Sequence, residues 1–364
     1  MEGNFVTGTF SAFFHRDGIT RNGTKCVGRE TCEKGFSLKA WCGHESVFNF
    51  MEDETWLETN TESGQNLVWR RDPQPRKSLA ECRCVVVYIG GEWEKDFLFQ
   101  ELIPEGYPVV CDHLRTRDLD IESVAGVLER LSTRLPVVLA FSSNLYSYEA
   151  VVSYADKLGA RAVVHMSDEW GNNPEYYGLA ERYGYFRQYY HPRYGQLQGT
   201  VIPLGHVSGT NVWDGAKAAS TRPMKWGFVG SVKADRQDML RSMQTLMPYL
   251  WLTNVSRDRV GETYRKCVFA PWGRGNVSLN CFRLYEATAC GALPVIVGKR
   301  QEVDALLESQ GFPPWLVFGT WAEAAKACKA LLGSTYVDVL QERNLRWWRD
   351  RIASVREALI VSVS

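Results

Sequence analysis

From residue 84 onward, short apolar runs alternate with segments of helical periodicity, and this rhythm restricts the chain to parallel α/β architecture. The runs CVVVYIG, YPVVCDH, LPVVLAFSS, ARAVVHMSDEW and TVIPLG are read as strands of a first Rossmann-like domain. Between them, IESVAGVLERLS and SYEAVVSYADKLG space their apolar residues as helices do and stop at Gly or polar residues. A passage rich in Gly, Ala and Ser, VSGTNVWDGAKAASTRP, interrupts the rhythm. It restarts with MKWGFVGSV and continues through YLWLTNVS, VFAPWG, ALPVIVG and WLVFGT, again with helical patterns between the strands. Two such series predict two Rossmann-like domains with a ligand cleft between them.

The chain before this point follows another rule. In FVTGTFSAFF the residues alternate with period two, RDG and NG supply turns, and SVFNFMEDETWLETNT reads as a hairpin with an acidic turn. The polar, Pro-containing RRDPQPRK closes the segment. The expected organisation is a small antiparallel β domain over 1–80, Rossmann-like domains over 81–210 and 211–340, and a C-terminal helix over 341–364 packing back across the domains. A length of 364 residues supports that many cores.

Charge and cysteine usage narrow the function. Lys plus Arg and Asp plus Glu both number 42, so no overall field favours nucleic acid or an anionic membrane, and any anion site must be local. No apolar stretch is long enough to cross a membrane, and MEGNFVTGTF lacks a signal-peptide pattern, so the expected compartment is the cytoplasm. Among the ten cysteines, neither Cys82 with Cys84 nor the group Cys26, Cys32 and Cys42 has partners at zinc spacing. The sequence DLD at 118–120 is better read as N-caps, Asp118 or Asp120, than as a metal pair. No metal or other cofactor is expected.

The densest motif is APWGRGNVSLNCFRLYEATACGALPVIVG, residues 270–298. A strand leads into Gly273, Arg274 and Gly275. Ser278 and Asn280 then stand as candidate N-caps of a helix that starts near Cys281. Free N–H groups and the positive end of a helix dipole suit a phosphate. Arg283 adds a charge-assisted fork, and Glu286, three residues on along the same face, offers a carboxylate to a sugar diol. The competing reading is an exposed i,i+3 ion pair worth about 0.2–0.5 kcal/mol. Asn276 lies in an N-x-S sequon, as do Asn22 and Asn254 in N-x-T/S sequons, and a glycan on Asn276 would obstruct any ligand of the turn.

The order Gly-rich turn, Arg-x-x-Glu-Ala, Gly-x-x-Pro-Val resembles the donor-binding signature of GT-B glycosyltransferases, most of all exostosin-type enzymes and their relatives, including ribitol-xylosyltransferase-like proteins. HMSDEW, VIPLGH and FVGSVKADR add to the resemblance, which covers residues 84–335 and leaves the first 80 unaccounted for. It implies a GT-B fold, a nucleotide-sugar donor with a UDP-sugar the first choice, basic residues in place of a metal, and a glycan or small-molecule acceptor. Relatives of this kind are Golgi proteins with a preceding membrane anchor, a segment not found in the sequence as read. Glu286 is implied to bind the ribose and Gly273 to Arg283 the diphosphate, with Gly230, Ser231, Lys233 and Arg236 near the donor phosphates or the acceptor. The plain alternative for these four is strand-turn-helix chemistry with solvated Lys and Arg.

An inverting transfer also needs a base within reach of the acceptor hydroxyl. Asp168 and Glu169, at the carboxyl end of ARAVVHM, are the first choices, although capping or pairing fits each equally well. His165 follows, with a core role the stronger expectation, and Glu92 and His191 stand in reserve. Two other functions fit the same sequence: a nucleotide-sugar epimerase or hydrolase, and a carbohydrate-binding or sensor protein with a silent α/β part.

Overall fold

The computed structural model describes the strands within residues 3–71 by their backbone, and residues 78–364 except 91–93, 113–124, 127, 130–133, 143–146, 172–173, 192–198, 208, 211–216 and 233–235. The chain forms two compact units, Met1–Ser78 with Asp112–Asp120, and Leu79–Cys111 with Ile121–Ser364.

In the first unit eight strands, β1 (Gly3–Thr7), β2 (Phe10–His15), β3 (Gly18–Arg21), β4 (Thr24–Cys32), β5 (Gly35–Ala40), β6 (Glu45–Phe50), β7 (Thr55–Asn60) and β8 (Asn66–Arg71), succeed one another around a closed barrel. Each pairs antiparallel with the next, and β1 pairs antiparallel with β8, so no edge is left open.

The second unit holds two sheets. The first has the order β10-β9-β11-β12-β13-β14, from β9 (Cys84–Gly90), β10 (Gly106–Asp112), β11 (Val137–Ser142), β12 (Ala160–Met166), β13 (Gly184–Arg187) and β14 (Thr200–Val201). Strands β9, β11, β12, β13 and β14 run parallel. Every residue of β9 and β11 is buried, which is why their sequences are unbroken apolar runs rather than alternations. Helix α1 (Tyr148–Leu158) begins at Ser147, whose Oγ accepts the Ala150 amide at 3.2 Å, and stops at Gly159 with φ 61°. The helix expected over IESVAGVLERLS lies largely outside the described residues.

The second sheet has the order β16-β15-β17-β18-β19, from β15 (Met224–Val229), β16 (Tyr249–Leu252), β17 (Cys267–Trp272), β18 (Leu293–Val297) and β19 (Leu316–Phe318), all parallel. Its helices are α2 (Arg236–Met243), α3 (Arg257–Lys266), α4 (Phe282–Ala289), α5 (Arg300–Ser309) and α6 (Trp321–Leu331). In both sheets the chain turns back on itself between the second and third strand positions. These reversals, β9 beside β11 and β15 beside β17, are the points where open α/β sheets form a ligand crevice outside the strands' carboxyl ends.

Helix α7 (Tyr336–Val363) ties the two sheets together. Near its start Gln341 donates to Gly291 O at 2.8 Å and Asn344 to Ala292 O at 3.2 Å, both beside β18. Further on, Arg356 donates to Glu101 O at 2.6 Å, and Arg161 of β12 donates to Val363 O at 3.0 Å. Midway, the Trp348 ring lies 6.2 Å from Phe97 on the first sheet's side and 6.2 Å from Tyr285 of α4. One apolar core therefore runs from β9 through α7 to α6. Among the described residues, no helix is long and apolar enough to cross a membrane.

Two elements escaped the sequence pattern. β13 comes from GYFR, a short aromatic segment without an apolar run, and Phe97–Leu102 forms a π-helical turn. Conversely, TVIPLG contributes only the two residues of β14 to the sheet. Pro203 has no N–H to donate, so the ladder ends before it.

Candidate active site

The turns after β15 and β17 build the crevice of the second sheet. β17 is buried along its whole length and delivers the chain to Gly273. The next residues form a tight loop in which the Gly275 amide donates to Ser278 O at 2.7 Å. Arg274 donates to Val277 O at 3.1 Å and also pairs with Glu302. Under the loop lies Arg236, which is buried against the Trp272 ring at 4.4 Å and donates to Ser231 O and Arg274 O, each at 2.8 Å. Arg236 therefore clamps the turn after β15 to the turn after β17. Its stem and head are consumed by two aromatic faces and two carbonyls. Ser231 is exposed beside Gly230, while Lys233 lies outside the described residues.

The start of α4 also differs from expectation. Cys281, not Ser278 or Asn280, holds the N-cap position, and no side chain caps the helix. Ser278 instead accepts the Asn280 amide at 3.2 Å inside the loop. Asn280 is buried, its Oδ1 takes the Tyr285 hydroxyl at 2.7 Å, and its Nδ2 has no protein partner. An uncapped helix start with a buried, unsatisfied donor beside it is suited to an anion.

Arg283 and Glu286 are not the exposed pair that local spacing alone would allow. The Glu286 carboxylate is fully buried and ion-paired with Arg283, whose side chain is 23% exposed. Arg283 Nε donates to Val229 O at 3.2 Å, so the guanidinium sits at the carboxyl end of β15. Burial alone would ease the proton off Arg283, but the charge of Glu286 outweighs that and raises its pKa. Glu286 Oε1 further accepts the Val207 amide and the Thr210 hydroxyl, both at 3.2 Å. The chain leaving the first sheet is thus fastened to α4. Just before it, His206 lies 2.8 Å from Glu101; burial would lower its pKa, and the hydrogen bond and charge of Glu101 raise it.

On the first sheet, the candidates after β12 separate. Asp168 is buried, pairs with Arg187 at 2.6 Å and accepts the Gly171 amide at 3.0 Å, the pairing that was the alternative to a base role. Its carbonyl meets His191 Nε2 at 2.8 Å, which places that reserve candidate in the same brace. His165 lies in the core, the stronger of its two expectations. It is fully buried, stacks on Phe141 at 4.5 Å, meets the Tyr185 hydroxyl at 2.6 Å, and burial pushes its pKa well down. Among the described candidates, Glu169 is the one that contacts the Gly-rich loop. Its Oε1 accepts the Asn276 amide at 3.0 Å and the Val277 amide at 3.3 Å, and its Oε2 accepts Asn276 Nδ2 at 3.1 Å. The Asn276 sequon therefore coincides with this contact. Glu92 lies outside the described residues.

Sequence reading missed Glu94. It comes after β9 at the first sheet's reversal point, is buried, and accepts the Ser167 hydroxyl. Ser167 itself has φ 59°, a conformation unusual for a side-chain-bearing residue, and its amide is held by Gln188 Oε1 at 2.8 Å. Burial raises the Glu94 pKa from 4.5 to about 7, with the Ser167 hydrogen bond opposing. The available signal was its position, four residues past an all-buried strand.

Among the described residues, no group of three or more His, Cys, Asp or Glu could hold a metal ion, and Cys82, Cys84, Cys267, Cys281, Cys290 and Cys328 are free thiols. The DLD segment lies outside them.

No family model matches the chain, and no curated protein matches its sequence. Solved structures overlap it in part. An α-glucosyltransferase in complex with UDP and a 13-mer DNA containing an HMU base aligns at TM-score 0.41 and 11% identity over 73% of this chain and 95% of that one. T4 phage BGT in complex with its UDP-glucose substrate gives 0.38 and 12% over 77% and 100%. The glycotransferase of kitacinnamycin gives 0.40 and 11% over 77% and 98%. At scores and identities this low, the overlaps carry no weight for function, and the fold rests on the chain's own topology.

Proposed function

We propose that this chain is a GT-B-type glycosyltransferase of the exostosin-like kind, moving a sugar from a nucleoside-diphosphate sugar to a hydroxyl of a glycan or small-molecule acceptor. UDP is the proposed nucleotide, with inversion at the sugar and no metal. The observation that supports this most is the convergence at the β15–β17 reversal of a Gly-rich loop, an uncapped helix start, the unsatisfied Asn280 Nδ2 and the half-buried Arg283. These are all donors, and they lie at the sheet reversal where α/β sheets bind ligands.

In this reading the diphosphate lies over the loop and the first turn of α4, and Arg283 neutralises it as it leaves. Glu286 fixes Arg283 and receives the ribose diol at Oε1 in exchange for the Thr210 hydroxyl. A base takes the acceptor's hydroxyl proton while the acceptor oxygen forms a bond to the anomeric carbon. The bond from that carbon to the diphosphate breaks, and its electron pair leaves with the diphosphate. Glu169 is the proposed base. Glu94 is a second reading for that role, supported by its place at the first sheet's reversal and a pKa near neutrality.

The test is a panel of UDP-, GDP- and CMP-sugars read by thermal stabilisation, followed by product analysis with and without acceptor. Stabilisation by one nucleotide-sugar and transfer to an added acceptor supports the proposal. Release of free sugar alone at the same rate with and without acceptor assigns a hydrolase instead, and an isomerised donor an epimerase.

A further inference from the structure

The contact between Glu169 and the Gly-rich loop joins the two sheets through an anion. Glu169 lies just past β12, and the loop just past β17, 107 residues later in sequence. Two consecutive main-chain amides, Asn276 and Val277, point at one carboxylate oxygen, and the Asn276 side chain holds the other. Consecutive N–H groups converging on one point make an anion-binding concavity. Gly275 allows the approach: a Cβ there would stand 3.2 Å from Glu169 Oε1 and 3.1 Å from Ser278 O.

We propose that Glu169 occupies the donor's phosphate seat and that the incoming diphosphate displaces it, so that the carboxylate becomes available to the acceptor only once the donor is bound. This rests on the donor reading given above. Two like charges cannot share a pair of amides. Their repulsion grows as the water between them is excluded. The diphosphate carries the larger charge and also gains Arg283 and the first turn of α4, so it wins the amides. Displaced, Glu169 remains on the short Ser167–Gly171 turn, which Asp168 braces through Arg187 and the Gly171 amide. It swings no further than its own side chain allows and stays at the crevice. The chain therefore binds donor before acceptor, and the donor-free protein holds its base in check.

Calorimetric titration of UDP into the parent, Glu169→Gln and Glu169→Asp tests this. Glutamine removes the charge, and aspartate keeps the charge but loses one methylene of reach. Replacing a charged by a neutral hydrogen-bond acceptor at the amides weakens the competitor, so UDP should bind Glu169→Gln about fivefold more tightly than the parent. Glu169→Asp should bind more tightly as well, because the contact is lost even though the charge stays. Unchanged or weaker UDP binding by folded Glu169→Gln overturns the displacement while leaving the donor reading standing. Tightening in Glu169→Gln but not in Glu169→Asp also overturns it, since general repulsion rather than occupation of the seat would then be the cause. If UDP, GDP and CMP bind none of the three proteins, the donor reading falls and the displacement with it.

Discussion

Replacing Glu94 by glutamine should make stability less sensitive to alkali. Glutamine keeps an oxygen for the Ser167 hydroxyl and nearly the same volume, so the change is one of charge. In the parent, burial holds the carboxyl neutral up to about pH 7, whereas in the unfolded chain it ionises near 4.5. The folded state thus retains a proton that the unfolded state has lost. The stability this gives is fully present below pH 4.5 and is lost as pH rises through about 7. Glutamine has no such loss. Between pH 5 and 8.5 the stability difference between Glu94→Gln and parent should therefore move in the variant's favour by about 2.5 kcal/mol. Urea unfolding followed by tryptophan fluorescence across that range measures it. A difference that stays constant with pH, or that moves in the parent's favour, would refute a buried neutral carboxyl and remove Glu94 from consideration as a base.

Three further outcomes are expected. Glu286→Gln breaks a buried pair with Arg283 and should cost about 3–5 kcal/mol in unfolding experiments, besides weakening nucleotide binding in calorimetry of the variant that remains folded. Removing the true base should slow transfer about 10²–10⁴-fold at comparable donor saturation, so the rates of Glu169→Gln and Glu94→Gln decide between the two carboxyls, and near-parental rates in both would place the base elsewhere. Transfer should be unaffected by EDTA, and loss restored by manganese would overturn the metal-independent reading.

Much of the second sheet was legible because buried parallel strands are written as contiguous apolar runs, as in ALPVIVG, and their helices end at glycines such as Gly291 with φ 72°. β13 was not, because its four residues, a glycine, two aromatics and an arginine, make no aliphatic run and owe their place to pairing with β12 rather than to local preference. The Gly-rich turn after β17 was legible as a turn, but the cap of the helix that follows was not. Whether Ser278 caps the helix or the loop depends on the turn closed by Gly275, which no spacing rule encodes. For Arg236 the sequence offered a donor-site residue or a solvated cation, and it does not reveal the Trp272 and Phe228 faces that enclose the side chain. Asp168 and Glu169 are neighbours with indistinguishable chemistry. Only the tertiary structure shows one turned inward to Arg187 and the other outward to Asn276 and Val277.

Hydrogen–deuterium exchange with and without UDP tests the donor site most directly, since it reports on the amides proposed to hold the phosphates. UDP should slow exchange in the peptides spanning 273–284 and 229–231 and leave α6, Trp321–Leu331, unchanged. Binding of UDP with unaltered exchange in those two segments would contradict the proposed donor site.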